Sequence, residues 1–181
     1  NYYSHYKSIS YNTITSRQGT GNYYGMYLYY YDIVDTLTGN KISVDSKLSG
    51  FGIYMNNYTN YSSYSGNPGL VSNNDIRISS VNASTALYIY KPNQIWRIFN
   101  NSILATSTSG IAYGISLCNI STAYRNEVKN NIVVTNGATD YPLYISGTAT
   151  YAGRNYLLSD FNDFYSPTYV VYAGNTPYKT L

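Results

Sequence analysis

Charge is scarce in this sequence. Lysine plus arginine number 11 and aspartate plus glutamate 8 among 181 residues, so 10% of the chain is charged where about a quarter is usual. Glu127 is its one glutamate, His5 its one histidine, Cys118 its one cysteine and Trp96 its one tryptophan. So little charge argues against disorder, because disordered chains are charge-rich and aromatic-poor. The shortage of Glu, Lys, Gln and Arg, which build exposed helix faces, argues against a helical protein. A thinly scattered net charge of +3 gives no basic patch for nucleic acid. No apolar run approaches the roughly 18 residues of a membrane-spanning helix. A lone cysteine builds no disulfide framework, and Cys118 reads as a buried free thiol. A lone histidine is too few for a zinc site or a histidine-based triad, and His5 falls in an opening stretch that reads as irregular and outside the repeats.

Abundance lies elsewhere. Tyrosine occurs 26 times, and with Ile, Val, Thr, Asn, Ser and Gly it gives the composition of strands joined by turns. The chain therefore reads as all-β. Self-similarity sharpens this, because a fixed period marks a repeat architecture. Gly25-Met26-Tyr27-Leu28, Gly52-Ile53-Tyr54-Met55, Ala86-Leu87-Tyr88-Ile89, Gly114-Ile115-Ser116-Leu117, Pro142-Leu143-Tyr144-Ile145 and Val170-Val171-Tyr172-Ala173 share one pattern, with third positions 27, 34, 28, 28 and 28 residues apart. Their second and fourth positions are all apolar, and the third is Tyr in every block but one. Such alternation places two side chains inward and one outward on a strand.

A second series carries paired asparagines or similar residues beside aliphatic runs: Lys41-Ile42-Ser43-Val44, Asn73 to Ile78, Asn100 to Leu104, Asn130 to Val134 and Asp160 to Phe164. A third, weaker series is Trp96 to Phe99, Asn126 to Val128 and Asn155 to Leu157. Three short strands per constant period, in one inward and outward register, predict a right-handed parallel β-helix of about six coils with about 28 residues per coil. Asparagines recurring at its corners predict side-chain amide ladders that satisfy turn backbone groups. The chain reads as one domain over 1–181, with 1–22 irregular or a first partial coil. The longer second interval places an inserted loop at 56–69, containing Tyr58, Tyr61 and Tyr64.

The phrases Asn126 to Val134, Pro142 to Ser146 and Ser159 to Tyr165 carry a likeness. Over roughly residues 50–170 the chain resembles the right-handed β-helix repeat proteins of the pectate-lyase-like superfamily, particularly the secreted bacterial ones. The resemblance implies the fold; it does not select an activity, since that fold serves lyases, hydrolases, adhesins and structural shafts. Its polysaccharide-cleaving members need clustered carboxylates, or acidic calcium ligands beside a base, and the polygalacturonase-like Gly-His-Gly and Arg-Ile-Lys do not occur here.

The eight acidic residues do not recur at the repeat period. Asp160, Asn162 and Asp163 form the one compact oxygen-rich cluster, a weak calcium candidate, although strand alternation sends neighbours to opposite faces. Arg97, Arg125 and Arg154 recur near the period and suggest a vertical stripe that could grip an anionic polysaccharide, or be neutralised by Glu127 and the aspartates. Tyr27, Tyr54, Tyr88, Tyr144 and Tyr172 predict an outward ladder broken at Ser116, serving stability, a protein interface or sugar stacking. Sequons at Asn57, Asn60, Asn82, Asn100 and Asn119 are no more frequent than so much Asn, Ser and Thr produces by chance.

The opening at Asn1 without a leader implies a processed mature protein or a fragment, and neither terminus shows a recognisable solenoid cap. The expectation is a secreted, non-enzymatic structural protein without cofactor, extracellular or at the cell surface. It would assemble into a filament or surface layer through uncapped ends and tyrosine-rich faces. The alternative is a polysaccharide-binding or polysaccharide-cleaving module.

Overall fold

A computed structural model of the chain describes residues 4–17, 20–29, 32–56, 68–90, 94–120, 125–147, 157–173 and 176–179. The strands come three to a coil. The first coil is β1 (Ser4–Ser10), β2 (Thr13–Arg17) and β3 (Tyr23–Tyr29); the second is β4 (Asp32–Thr38), β5 (Lys41–Ser46) and β6 (Ser49–Asn56). The third is β7 (Gly69–Ser72), β8 (Asp75–Ser80) and β9 (Ala83–Tyr90); the fourth is β10 (Trp96–Phe99), β11 (Ser102–Ser107) and β12 (Ile111–Cys118). The fifth is β13 (Asn126–Lys129), β14 (Ile132–Asn136) and β15 (Thr139–Ser146); the sixth is β16 (Leu157–Asp160), β17 (Asp163–Tyr165) and β18 (Val171–Ala173), followed by β19 (Thr176–Tyr178).

First strands pair with first strands in a six-stranded sheet A, second with second in a six-stranded sheet B, and third with third in sheet C, whose seventh strand is β19. Every pairing is parallel except β18 with β19. The result is a β-solenoid of roughly five turns from the first rung to the last, about 28 residues each. Parallel stacking places like on like. Ile9, Leu37, Val71, Ile98 and Val128 form one inward column on sheet A. Ile14, Ile42, Ile76, Ile103, Val133 and Phe164 form another on sheet B, and Met26, Ile53, Leu87, Ile115, Leu143 and Val171 a third on sheet C. Each buried side chain of this size contributes about 1.5–3 kcal/mol.

The corner between sheets A and B explains the doubled asparagines. Its first residue has a positive φ in every coil: Tyr11 at 57°, Gly39 at 66°, Asn73 at 55°, Asn100 at 57°, Asn130 at 55° and Phe161 at 53°. Asn tolerates this region better than most residues that have a Cβ. The second residue, Asn12, Asn40, Asn74, Asn101, Asn131 or Asn162, belongs to an uninterrupted amide ladder. Each Nδ2 donates to the Oδ1 of the asparagine one coil later, at 2.9–3.0 Å. That same Oδ1 also accepts from the backbone N–H of the asparagine one coil earlier. From Asn40 onward each Nδ2 also donates to a carbonyl of the preceding coil, those of Ile9, Leu37, Val71, Ile98 and Val128. The corner's buried polar groups are thus paired by the repeat itself.

Two expectations about the ends change. Residues 4–17 are two strands in full register with the second coil, so His5 lies in β1 with its backbone opposite Ile33 rather than in an irregular stretch. At the other end β19 folds back antiparallel on β18 and covers that edge of sheet C, a known way to blunt an exposed edge. No helix occurs among the described residues, and none is long and apolar enough to cross a membrane.

Candidate functional site

The outer face of sheet C carries the aromatic residues. The register aligns Tyr27, Tyr54, Tyr88, Ser116, Tyr144 and Tyr172 in one column. Ring centroids are 5.1 Å apart for Tyr27 and Tyr54, 4.8 Å for Tyr54 and Tyr88, and 4.7 Å for Tyr144 and Tyr172, with interplanar angles of 12–14°. The expected ladder is present, with its break at Ser116.

A second column, missed in the sequence, runs beside it: Tyr24, Phe51, Thr85, Tyr113 and Tyr141 in register, with Tyr169 stacked on Tyr141 at 5.5 Å. Its members precede the first column's by three residues, a spacing that simple alternation does not allow on one face. The strand bends there. In the middle rungs the two intervening residues, Gly52-Ile53, Ala86-Leu87, Gly114-Ile115 and Pro142-Leu143, are both buried. The bend needs a small first residue: a Cβ on Gly52 would stand 2.4 Å from the Ala86 carbonyl oxygen and 2.5 Å from Ile76 Cγ2. The recurrence of an aromatic three residues before five of the six positions of the first column, all but Tyr88, was the signal available in the sequence.

Between the columns, rings meet edge to face, as Tyr24 with Tyr27 at 4.8 Å and 71°, Phe51 with Tyr54 at 5.5 Å and 89°, and Tyr113 with Tyr144 at 4.9 Å and 69°. The two columns together form a ridged surface rather than a flat one. Within a stack each ring's faces are taken by its neighbours, leaving edges and hydroxyls at the surface. Faces are freed where a column lacks a ring, which happens at Thr85 and at Ser116 on adjacent rungs. There a cavity of about 410 Å³ opens, bordered by Phe51, Tyr54, Thr85, Tyr88, Tyr113, Ser116, Cys118 and Tyr144. Ser116 Oγ and Cys118 Sγ lie 3.3 Å apart on its floor, and Cys118 is a buried free thiol.

Burial dominates the electrostatics. It raises the Tyr88 hydroxyl's pKa well above its ordinary value, with the Cys118 thiol adding to the effect. It pushes Tyr113 up to about 12, helped by the Tyr144 hydroxyl. Tyr24, Tyr54, Tyr141 and Tyr144 are raised for the same first reason. These groups stay protonated at neutral pH. The cavity can stack rings and exchange hydroxyl hydrogen bonds, and among the described residues no carboxylate, imidazole or amine borders it.

Arg97 and Arg125 do not stack in register. Arg97 sits between Leu70 and Glu127 in register, with its Nε 4.0 Å from Glu127 Oε1, while Lys129 Nζ lies 3.3 Å from Oε2. Arg125 precedes β13, two residues before the position opposite Arg97. The cause is coil length: corresponding residues of sheet A and of the asparagine corner are here 30 or 31 apart, against 28 on sheet C. By the same offset Asn126 pairs with Leu157, not with Asn155. Arg154, Tyr58, Tyr61 and Tyr64 lie outside the described residues.

Two of the three calcium candidates already accept hydrogen bonds at this corner. Asn162 Oδ1 already accepts from the backbone N–H and Nδ2 of Asn131, and Asp160 Oδ1 accepts from the Phe161 N–H. Among the described residues no group of three His, Cys, Asp or Glu side chains is placed to hold a metal.

Fold and surface together define a parallel β-solenoid with one tyrosine-stacked face. Compared with protein-family models, curated proteins and solved structures, the chain matches none.

Proposed function

We propose that the chain is a non-enzymatic structural protein of an extracellular or cell-surface setting, a β-solenoid that associates with copies of itself through the outer face of sheet C. The observation that carries this reading is the two-column aromatic surface along that sheet. Ring edges with hydroxyl tips suit a protein contact, since tyrosine combines a large apolar body with a polar handle and is enriched at interfaces. Charged side chains such as Lys41, Arg77, Arg97, Glu127 and Lys129 belong to sheets A and B, and Asp140 in β15 is fully buried, so among the described residues the outer face of sheet C presents no charge that a partner would have to desolvate. The likeness to secreted bacterial β-helix proteins of the pectate-lyase-like superfamily supports the extracellular setting.

The test is the mass of the protein in solution as concentration rises, measured by analytical ultracentrifugation, with electron microscopy of the concentrated material. Tyr27 is 49% exposed and Tyr29 46%, so the Tyr27→Ser, Tyr29→Ser double variant should shift self-association to at least tenfold higher concentration. A wild-type chain that stays monomeric at millimolar concentration would overturn the proposal.

A further inference from the structure

We propose that the break in the tyrosine stack at Ser116 is a binding site for one neutral phenolic ring, which enters between Tyr88 and Tyr144 and occupies the place a tyrosine ring holds on the other rungs. This goes beyond self-association and does not rest on it.

Register is the first support. Ser116 is directly opposite Tyr88 on one side and Tyr144 on the other, so the neighbours' rings belong to rungs two strand spacings apart, about 9.6 Å. Where the column is filled, centroids repeat every 4.7–5.1 Å. Twice that repeat admits one ring in contact with a face on each side. The gap cannot close by bringing the rungs together, because β9, β12 and β15 are held by continuous parallel pairing.

Cavity chemistry is the second. The opening of about 410 Å³ falls within the range of small-molecule sites, and an apolar cavity left by a missing side chain binds a molecule of the missing group's shape. Among the described residues those bordering the cavity are uncharged, which selects a neutral ligand. Ser116 is 2% exposed and its hydroxyl is paired with the Cys118 thiol. The floor therefore has little left to offer the several hydroxyls of a pyranose, each of which loses water on entry. A phenol brings one hydroxyl and a planar ring, which stacking can use.

The probe is p-cresol, the tyrosine side chain as a free molecule, titrated into dilute protein by calorimetry and by saturation-transfer NMR. Sedimentation in parallel distinguishes uptake of the free phenol from insertion of a second copy's tyrosine. The expected result is saturable one-to-one binding at unchanged protein mass, with at least tenfold loss in Ser116→Tyr, whose own ring fills the gap. Should Ser116→Tyr not fold, Tyr144→Leu carries the test: it removes one wall and should also weaken binding at least tenfold. The proposal is overturned if wild type does not bind p-cresol, if folded Ser116→Tyr binds it equally well, or if methyl glucopyranoside binds more tightly. It is also overturned if p-cresol acts solely by dissociating dimers.

Discussion

Replacing Asn101 with alanine tests the ladder that holds the corner between sheets A and B. Asn101 Oδ1 accepts from the Asn74 backbone N–H at 3.1 Å and from Asn74 Nδ2 at 2.9 Å. Its Nδ2 donates to Val71 O at 3.0 Å, Phe99 O at 3.1 Å and Asn131 Oδ1 at 2.9 Å. Some of these partners have a second bond to fall back on. Asn131 Oδ1 keeps the Asn101 N–H, and Asn74 Nδ2 keeps Leu37 O. What alanine leaves stranded is the Asn74 backbone N–H and one Nδ2 proton, on a residue that is 2% exposed. An orphaned buried donor costs about 1–3 kcal/mol, so the substitution should destabilise by about 4 kcal/mol. In a chain of this size that lowers Tm by about 8–16 °C, read by circular dichroism melts. The control is Asn100→Gly at the adjacent exposed position, where φ is 57° and glycine adopts that conformation without strain, so Tm should hardly move. Asn101→Asp separates shape from hydrogen bonding. Its carboxylate would face the Val71 and Phe99 carbonyls, raising its folded pKa above the unfolded value of about 3.9. Stability should then be best below the unfolded pKa and fall as pH rises through the folded one. If Asn101→Ala lowered Tm by no more than Asn100→Gly, the ladder would be incidental to stability and the reasoning refuted.

Three further outcomes follow from the coordinates. Phe161 holds a φ of 53° while 77% exposed, so Phe161→Gly should raise stability by about 1 kcal/mol in denaturant titrations, by relief of left-handed strain; a loss of stability would mean its ring is held by contacts that outweigh the strain. Gly52→Ala should cost about 1–3 kcal/mol, because its Cβ would meet the Ala86 carbonyl oxygen at 2.4 Å; a neutral result would show that the bend can relax. Tyr88 and Tyr113 are raised above 10.0, Tyr113 to about 12. The unfolded tyrosines therefore ionise first, and stability that is whole below pH 10 should fall as pH climbs through 12. Tyrosinate absorbance should show a late-titrating fraction, and a single transition near the ordinary tyrosine value of about 10 with unchanged stability would contradict this.

The inward residues were legible because a solenoid core imposes one requirement on every coil. Met26, Ile53, Leu87, Ile115, Leu143 and Val171 are all buried, and the paired asparagines announced a corner with a ladder amide, while the left-handed role of the residue before it emerged only from the backbone. Register on sheet A was less legible. The segments from sheet C to sheet A and from sheet B to sheet C both vary in length, so a period measured on the tyrosines misplaced Arg125 and Asn155 by two residues. The second aromatic column was hidden for a different reason. Two consecutive buried residues at the bend break the alternation by which outward positions are recognised, so Phe51 and Tyr113 do not read as partners of Tyr54 and Ser116. Among the described residues the hairpin of β18 and β19 has no counterpart in the other five coils, and a search for periodicity passes over it.

The two kinds of column differ in how freely they can change, and that difference locates the site. An inward residue is confined by the rungs before and after it and by the other two sheets, so a large-to-small change leaves a closed void costing about 2–5 kcal/mol. An outward ring is confined along its stack and by the neighbouring column, with no sheet packed over its outer side. Outer columns can therefore depart from the repeat at small cost, and a departure inside a stack has a consequence that one at its end lacks. It exposes two ring faces opposite each other. Ser116 is such a departure, with Tyr88 and Tyr144 on either side, and Thr85 is another, between Phe51 and Tyr113. They fall on adjacent rungs in adjacent columns and border the same cavity. Had the two residues been several rungs apart, each would leave a separate notch one ring wide. Placed diagonally, they merge into one recess on a face otherwise closed by stacking. Position relative to the repeat, rather than any reactive group, is what marks these two residues as functional.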